Sequence, residues 1–188
     1  MVSLSAKPLT LEDFLQQPET QPASEFMEGK IIQKPMPQGK HSLIQGELTS
    51  TLNASFKPKK IGWAFPELRC TFAGCAIVPD IAVIPWDRIP VEEDGTIQNL
   101  ISFCPDWVIE ILSPDQNQTQ LTKKVLGCLD HGCQMGWIVD PEERVVFTYP
   151  ARQQPTLHEA PEDIIPVPEF AQGIQLTVEE LFGWMQVK

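Results

Sequence analysis

Asp80, Glu110 and Lys124 are charged residues set where the surrounding sequence is apolar. Glu110 interrupts Trp107-Val108-Ile109-Glu110-Ile111-Leu112, a run with the length and near-continuous hydrophobicity of a buried strand. Side chains alternate faces along a strand, so Glu110 sides with Val108 and Leu112, and Trp107, Ile109 and Ile111 take the other face. A strand apolar on both faces is normally covered on both, as in the sheet of an α/β protein. Burying an unpaired carboxylate there costs on the order of several kcal/mol, so Glu110 requires a metal ion or a cation as partner. The competing reading is an edge residue facing water.

Ser113-Pro114-Asp115 stops that strand, and a helix follows. At ~100° per residue its Leu121, Val125, Cys128 and Leu129 form one apolar face. Lys123 falls opposite, in solvent. Lys124 falls about a quarter-turn from the centre of the face, and its stem can follow that face inward toward Glu110. Taken alone, Lys124 also fits an ordinary surface lysine. Asp80 lies in the apolar run Ala73-Gly-Cys-Ala-Ile-Val-Pro-Asp-Ile-Ala-Val-Ile-Pro85. Read as one strand, this run sets Val78, Asp80, Ala82 and Ile84 against Ile77, Pro79, Ile81 and Val83. Pro79 removes a ladder donor and suits an edge or a bulge, which re-aims its neighbours. Pro-Asp is also a common turn pair, which makes Asp80 a candidate strand-end cap. Two carboxylates can hold a hard divalent cation, magnesium or manganese. A nearby ammonium can then orient a water or stabilise developing negative charge.

An aspartate, then a glutamate on the next apolar strand, then a lysine resembles the PD-(D/E)xK nuclease superfamily. The usual ExK triplet is altered, since Glu110-Ile111-Leu112 ends in leucine. Within the superfamily the chain is similar to the Uma-type restriction endonucleases, a group long classed as a domain of unknown function. There the lysine has moved to the following helix. The segments that carry the resemblance are IEILSP at 109–114, Lys124, CQMGWIVDP at 133–141, LTLEDFL at 9–15, SEFMEGKII at 24–32, and His41 opening HSLIQGELTSTL. They cover the chain from about Leu9 to Trp184. The departures are Gln120 for a frequent acid, Cys128 for a tyrosine and Ser24 for an aromatic. The resemblance implies a magnesium-dependent DNA endonuclease with a restriction-endonuclease-like core. That core would be a central mixed sheet flanked by helices, with an added N-terminal helix and hairpin and C-terminal strands and helix. It makes Asp80, Glu110 and Lys124 catalytic, with Asp80, Glu110 and the Ile111 carbonyl on the metal. Glu25 matches a glutamate of the family pattern and otherwise reads as an exposed strand-end acid. A nuclease fold without catalysis, serving binding or oligomerisation, is the alternative, motivated by overall acidity and by Gln120 and Cys128.

The 188 residues fit one domain, 1–188, large enough for its own core. A net charge of −11 opposes phosphate binding. Residues 30–60 run the other way, with six lysines (30, 34, 40, 57, 59, 60) against Glu47. Exposed charges are screened beyond ~8 Å at physiological salt, so this segment could present a local basic rim to DNA; a solvated helix face with basic ends is the plainer reading. A second copy of the chain is a further admissible partner. Cys70, Cys75, Cys104, Cys128 and Cys133 form no CxxC, which suggests reduced thiols rather than zinc or a disulfide framework. No apolar run reaches ~18 residues and no leader pattern opens the chain, so a soluble cytoplasmic protein is expected, with no membrane partner.

The remaining elements must position the set. Thr10 caps a short helix, and Phe26 to Lys34 reads as a hairpin about Glu28-Gly29. His41 opens a helix to Phe56 with an apolar stripe of Leu43, Ile44, Leu48, Leu52 and Phe56. At that helix start His41 could cap, touch phosphate or serve structure. Gly46, which weakens this helix by ~1 kcal/mol, suggests a close helix–sheet contact. Gly62 to Phe72 is expected as the first core strand, with Glu67 either a further acid near the metal or a surface residue. Trp86 to Leu100 reads as a long acidic loop, a lid or an insertion. Strands follow over Met135–Val139, Arg144–Tyr149 and Thr156–Glu159. Thr177 and Glu180 have capping-box spacing for a last helix.

Overall fold

The computed structural model describes residues 9–114 and 116–187. Asp115, the third residue of the strand-stopping triplet, lies outside them. Helix α1 (Leu11–Leu15) starts at Thr10, whose side chain and that of Asp13 form a reciprocal capping box. β1 (Ser24–Met27) and β2 (Lys30–Gln33) form a hairpin. Glu28 and Gly29 both have positive φ, as its two-residue turn requires. α2 (Gly39–Phe56) carries the expected stripe, with Ile44, Leu48, Leu52 and Phe56 buried.

The next two expected strands are each split. Gly62 to Phe72 resolves into β3 (Gly62–Pro66) and β4 (Cys70–Phe72), and the Asp80 run into β5 (Cys75–Ile77) and β6 (Ile81–Pro85). Pro66 and Pro79 stand at the breaks, where a residue without N–H ends a ladder. The splits assign the pieces to different sheets. β4 and β5 join the hairpin in a four-stranded sheet of order β2-β1-β5-β4. β3 and β6 join β7 (Trp107–Ile111), β8 (Met135–Asp140), β9 (Val145–Pro150) and β10 (Thr156–His158) in a six-stranded sheet of order β10-β9-β8-β7-β6-β3. Among the described strands of this sheet, β7 and β8 alone pair in parallel, around the crossover helix α3 (Gln118–Leu129). The break also resets the alternation: Ala82 and Ile84 keep their expected face, but Ile77 joins them instead of Ile81 and Val83.

This is an α+β fold whose central mixed sheet is covered on both faces. One face carries α2 and the last helix, α4 (Val178–Gly183), against Trp107, Ile109, Ile111 and Trp137. On the other, α3 and the small sheet bury Val108, Ala82 and Ile138. Thr177 and Glu180 form the expected capping box of α4. One expectation fails. Gly46 is exposed, with nothing within 4 Å of where a Cβ would stand, because it lies off the buried stripe of α2. The 86–100 loop, read as a lid or an insertion, packs Trp86, Ile89, Val91 and Ile97 around a cleft with Trp63 and Phe65, which fits the insertion better. Among the described residues no helix is long and apolar enough to cross a membrane, and all five cysteines are free.

The glycine that does mark a close approach is Gly136 in β8, where a Cβ would collide with the Val125 side chain of α3. Valine has little rotamer freedom on a helix, so the helix itself would have to move. Gly136→Ala is therefore expected to destabilise by roughly 1–3 kcal/mol, a fall in Tm of about 2–10 °C by thermal unfolding. An unchanged Tm would show that α3 is not seated as closely as described.

Candidate active site

Register brings the acids to one end of the large sheet. Ile81 pairs with Ile109, so Asp80, one residue before β6, stands level with Glu110 on β7. Asp80 is held from every side: its Oδ2 accepts the Ile111 N–H at 2.7 Å, and its backbone carbonyl accepts Gln45 Nε2 at 2.8 Å. His41 Nε2, on the first turn of α2, is 3.1 Å from the same Oδ2. Lys34 Nζ donates to Oδ1 at 2.7 Å. Ile111 thus meets Asp80 through its amide, not its carbonyl.

Glu110 is fully buried, and Lys124 from α3 is 3% exposed with Nζ 2.8 Å from Glu110 Oε1. Lys123 beside it is exposed, as helix geometry demands. The same ammonium donates to Glu25 Oε1 at 2.7 Å, and that oxygen also accepts the Val78 N–H at 2.7 Å. Glu25 is therefore a buried member of the site, not an exposed strand-end acid. The Lys124–Glu110 contact lacks hydrogen-bond geometry, and Glu110 Oε2 has no protein partner. Glu67 follows β3 and reaches the cluster only through Lys34, at 3.0 Å, with its side chain 44% exposed. His41 Nδ1 is buried without a partner.

Burial opposes ionisation of Asp80, but the His41 hydrogen bond and the Lys34 charge outweigh it and hold the carboxyl well below its ordinary value. Glu110 goes the other way: complete burial pushes it up to about 8, with Lys124 opposing and the Asp80 and Glu25 carboxylates adding to the rise. Burial works against charge on Lys124 too, but Glu110, Glu25 and Asp80 overcome it and raise its value. Three buried carboxylates against two buried lysines leave one negative charge in excess. In protein alone, a proton on Glu110 relieves it.

Among the described residues no cluster of three or more His, Cys, Asp or Glu is arranged to hold a metal. The lysines stand between the acids. A groove of about 310 Å³ reaches the cluster past Glu25, Lys34, Gln120 and Lys124. On the other side His41 lines a cleft of about 260 Å³ with Leu112 and Pro114. Of the departures from the family pattern, Gln120 borders this groove, Cys128 is core, and Ser24 bonds to Thr20 at 2.8 Å.

Lys34 is what the sequence reading misplaced. Expected in a basic rim, it is buried, and of the other five lysines of 30–60, Lys40 stands apart from Lys57, Lys59 and Lys60. Lys40 pairs with Glu142 at 2.9 Å, and Lys57 lies over the Trp63 ring. These two sit at opposite ends of an 18-residue helix, roughly 25 Å apart. The only local signal for Lys34 is that it shares the strand face of Ile32, which also borders the groove.

A mixed sheet flanked by helices, with buried acids and a lysine at one end, is the restriction-endonuclease-like architecture. The family described as "Putative restriction endonuclease", Uma2, matches residues 11–179, and the chain belongs to it. It is similar to a solved structure from Anabaena variabilis described as a "putative nuclease belonging to DUF820". The two are 55% identical with a TM-score of 0.93, covering 95% of this chain and all of that one. No curated protein matches.

The sign of the Glu110 shift gives a test. A carboxyl whose folded value is raised to about 8 contributes stability that is complete below its unfolded value, about 4.5, and is lost as pH rises to about 8. Glu110→Gln escapes that loss while Glu25 still pairs Lys124. In buffer free of divalent ions its Tm should exceed wild type by at least about 2 °C near pH 9, and the gap should close toward pH 5. A Tm below wild type across the whole range would show that Glu110 is a net stabilising partner of Lys124.

Proposed function

We propose that this protein is a magnesium- or manganese-dependent nuclease that hydrolyses phosphodiester bonds in DNA in the cytoplasm. The observation that carries the reading is Glu110: an entirely buried carboxylate with one oxygen unpartnered, in a cluster one positive charge short. Structural ion pairs do not need that arrangement, and a hard cation would satisfy it. Asp80 and Glu110 would hold the ion, with a main-chain carbonyl, Ile111 in the family pattern, as a third oxygen. When bound, the ion would supply a Lewis acid and lower the pKa of a water. Lys124 would orient that water and offset charge on the pentavalent phosphorus. His41 would keep Asp80 ionised and aimed, and Glu25 would fix the Lys124 amine.

The interleaved lysines also fit the second reading, a nuclease fold kept for binding or self-association, since they already neutralise most of the site. Divalent ions separate the two. For the nuclease, magnesium or manganese should raise Tm by about 1–3 kcal/mol equivalent at ten- to hundredfold over the dissociation constant. Asp80→Ala should abolish both that rise and the cutting of plasmid or linear DNA. Equal cleavage by Asp80→Ala would end the proposal. No Tm response to either metal in wild type would favour the module.

A further inference from the structure

Lys34 lies outside the acid–acid–lysine set, yet its ammonium fills an all-oxygen cage. Nζ is 2.7 Å from Asp80 Oδ1, 2.9 Å from the Val78 carbonyl oxygen and 3.0 Å from Glu67 Oε1. Three N–H donors meet three acceptors, so the ammonium is fully satisfied. Two carboxylates and a carbonyl are equally the donor set of a hard divalent ion, at about 2.3–2.6 Å for calcium and 2.0–2.1 Å for magnesium. Closing the cage by a few tenths of an ångström or somewhat more would suit either. The Val78 carbonyl lies in the break between β5 and β6, free of both ladders, and Glu67 is half exposed, so the Glu67 side chain has freedom to adjust.

The lysine has somewhere to go. It follows β2, the edge strand of the small sheet, most of whose residues are exposed. Its own side chain borders the 310 Å³ groove. Rotating a four-carbon stem into that groove needs no strand to move. The exchange is also favourable in charge. With Lys34 inserted, the four carboxylates Glu25, Glu67, Asp80 and Glu110 face two lysines; a divalent ion in its place removes one of the two excess negative charges.

We propose that the Lys34 ammonium sits in the seat of a divalent cation, so that insertion of Lys34 and binding of the ion exclude one another. This rests on the metal-dependent reading above and extends it: Asp80 is the shared ligand, its Oδ1 facing a second set of donors, Glu67 and the Val78 carbonyl, for which Lys34 competes. Lys34 is thus a positioning residue that sets how readily the ion enters, and it is driven into the groove when the ion does.

The test uses the wild-type protein, an amine-acetylating reagent and peptide mass spectrometry, with and without manganese. Lys123, exposed on α3, is the internal standard. Saturating manganese should speed acetylation of Lys34 several-fold and leave Lys123 unchanged. In parallel, Lys34→Met removes the competing charge but keeps an apolar stem. It should bind manganese at least about tenfold more tightly by calorimetry, the expected gain if wild type exposes the seat in a tenth of molecules or fewer. If manganese raises the wild-type Tm while Lys34 stays protected, the seat lies elsewhere: the inference is lost and the nuclease reading stands. If neither wild type nor Lys34→Met binds manganese, both fall. Should Lys34→Met fail to fold, the wild-type labelling decides alone.

Discussion

The ion pairs of Lys124 with Glu25 and Glu110 join parts of the molecule that share no strand. Glu25 belongs to the four-stranded sheet, Glu110 to the six-stranded sheet and Lys124 to the helix that crosses between β7 and β8. The apolar contacts around them, Leu121 and Val125 against Val108 and Ile138, fix how far α3 stands from the sheet. Gly136 lets it come close enough for a lysine to reach the strand. Buried ion pairs seldom stabilise a fold beyond what apolar residues of the same volume would, because desolvation consumes the Coulomb gain. Three buried carboxylates held at that cost, with one oxygen left over, are not accounted for by stability alone.

The second constraint is the break at Val78–Asp80. Had the run from Cys75 to Pro85 continued as one strand, both ends would have entered one ladder and the Val78 N–H and carbonyl would have been used there. Interrupted by Pro79, the chain changes sheets and releases those groups. The N–H goes to Glu25 and the carbonyl to Lys34, while Asp80 turns in against Ile111. Glu67 is set beside it by the matching break after β3, where its N–H donates to the Asp80 carbonyl at 3.2 Å. Two short interruptions place four of the polar groups of the site.

What could be read from the sequence follows the range of the interaction. The β7 strand, its two apolar faces and the inward tilt of Lys124 depend on local periodicity, and those are where the structure has them. The caps of α1 and α4 and the hairpin turn at Glu28-Gly29 are equally local. Pro79 gave notice of a disturbance, but the alternation on its two sides could not reveal that each half belongs to a different sheet. The partners of the acids were harder to see. Lys34 and Asp80 are 46 residues apart and Glu25 and Lys124 are 99 apart, and no periodicity spans such distances. Family resemblance pointed to Glu25, but Lys34 had no such pointer and was assigned by composition to a basic surface. The cost of Gly46 in a helix carries no packing reason, because the position is open to solvent.

Charge inventory ties the site to the question of substrate. Of the six lysines between 30 and 60, Lys34 is consumed by Asp80 and Lys40 by Glu142, and Lys57 lies on an indole. With a net charge of −11, little long-range attraction for a polyanion is left on the protein surface. Lys57, Lys59 and Lys60 remain exposed together at the end of α2, away from the groove, so affinity for a phosphate backbone at the groove itself would depend on the charge of the site. A divalent ion there would lower the negative charge of the acids, and an ammonium displaced toward solvent would put a positive charge at the groove's mouth. An acidic nuclease built this way would gain its grip on nucleic acid only once the catalytic ion is in place, which couples binding of the polymer to readiness for cutting it.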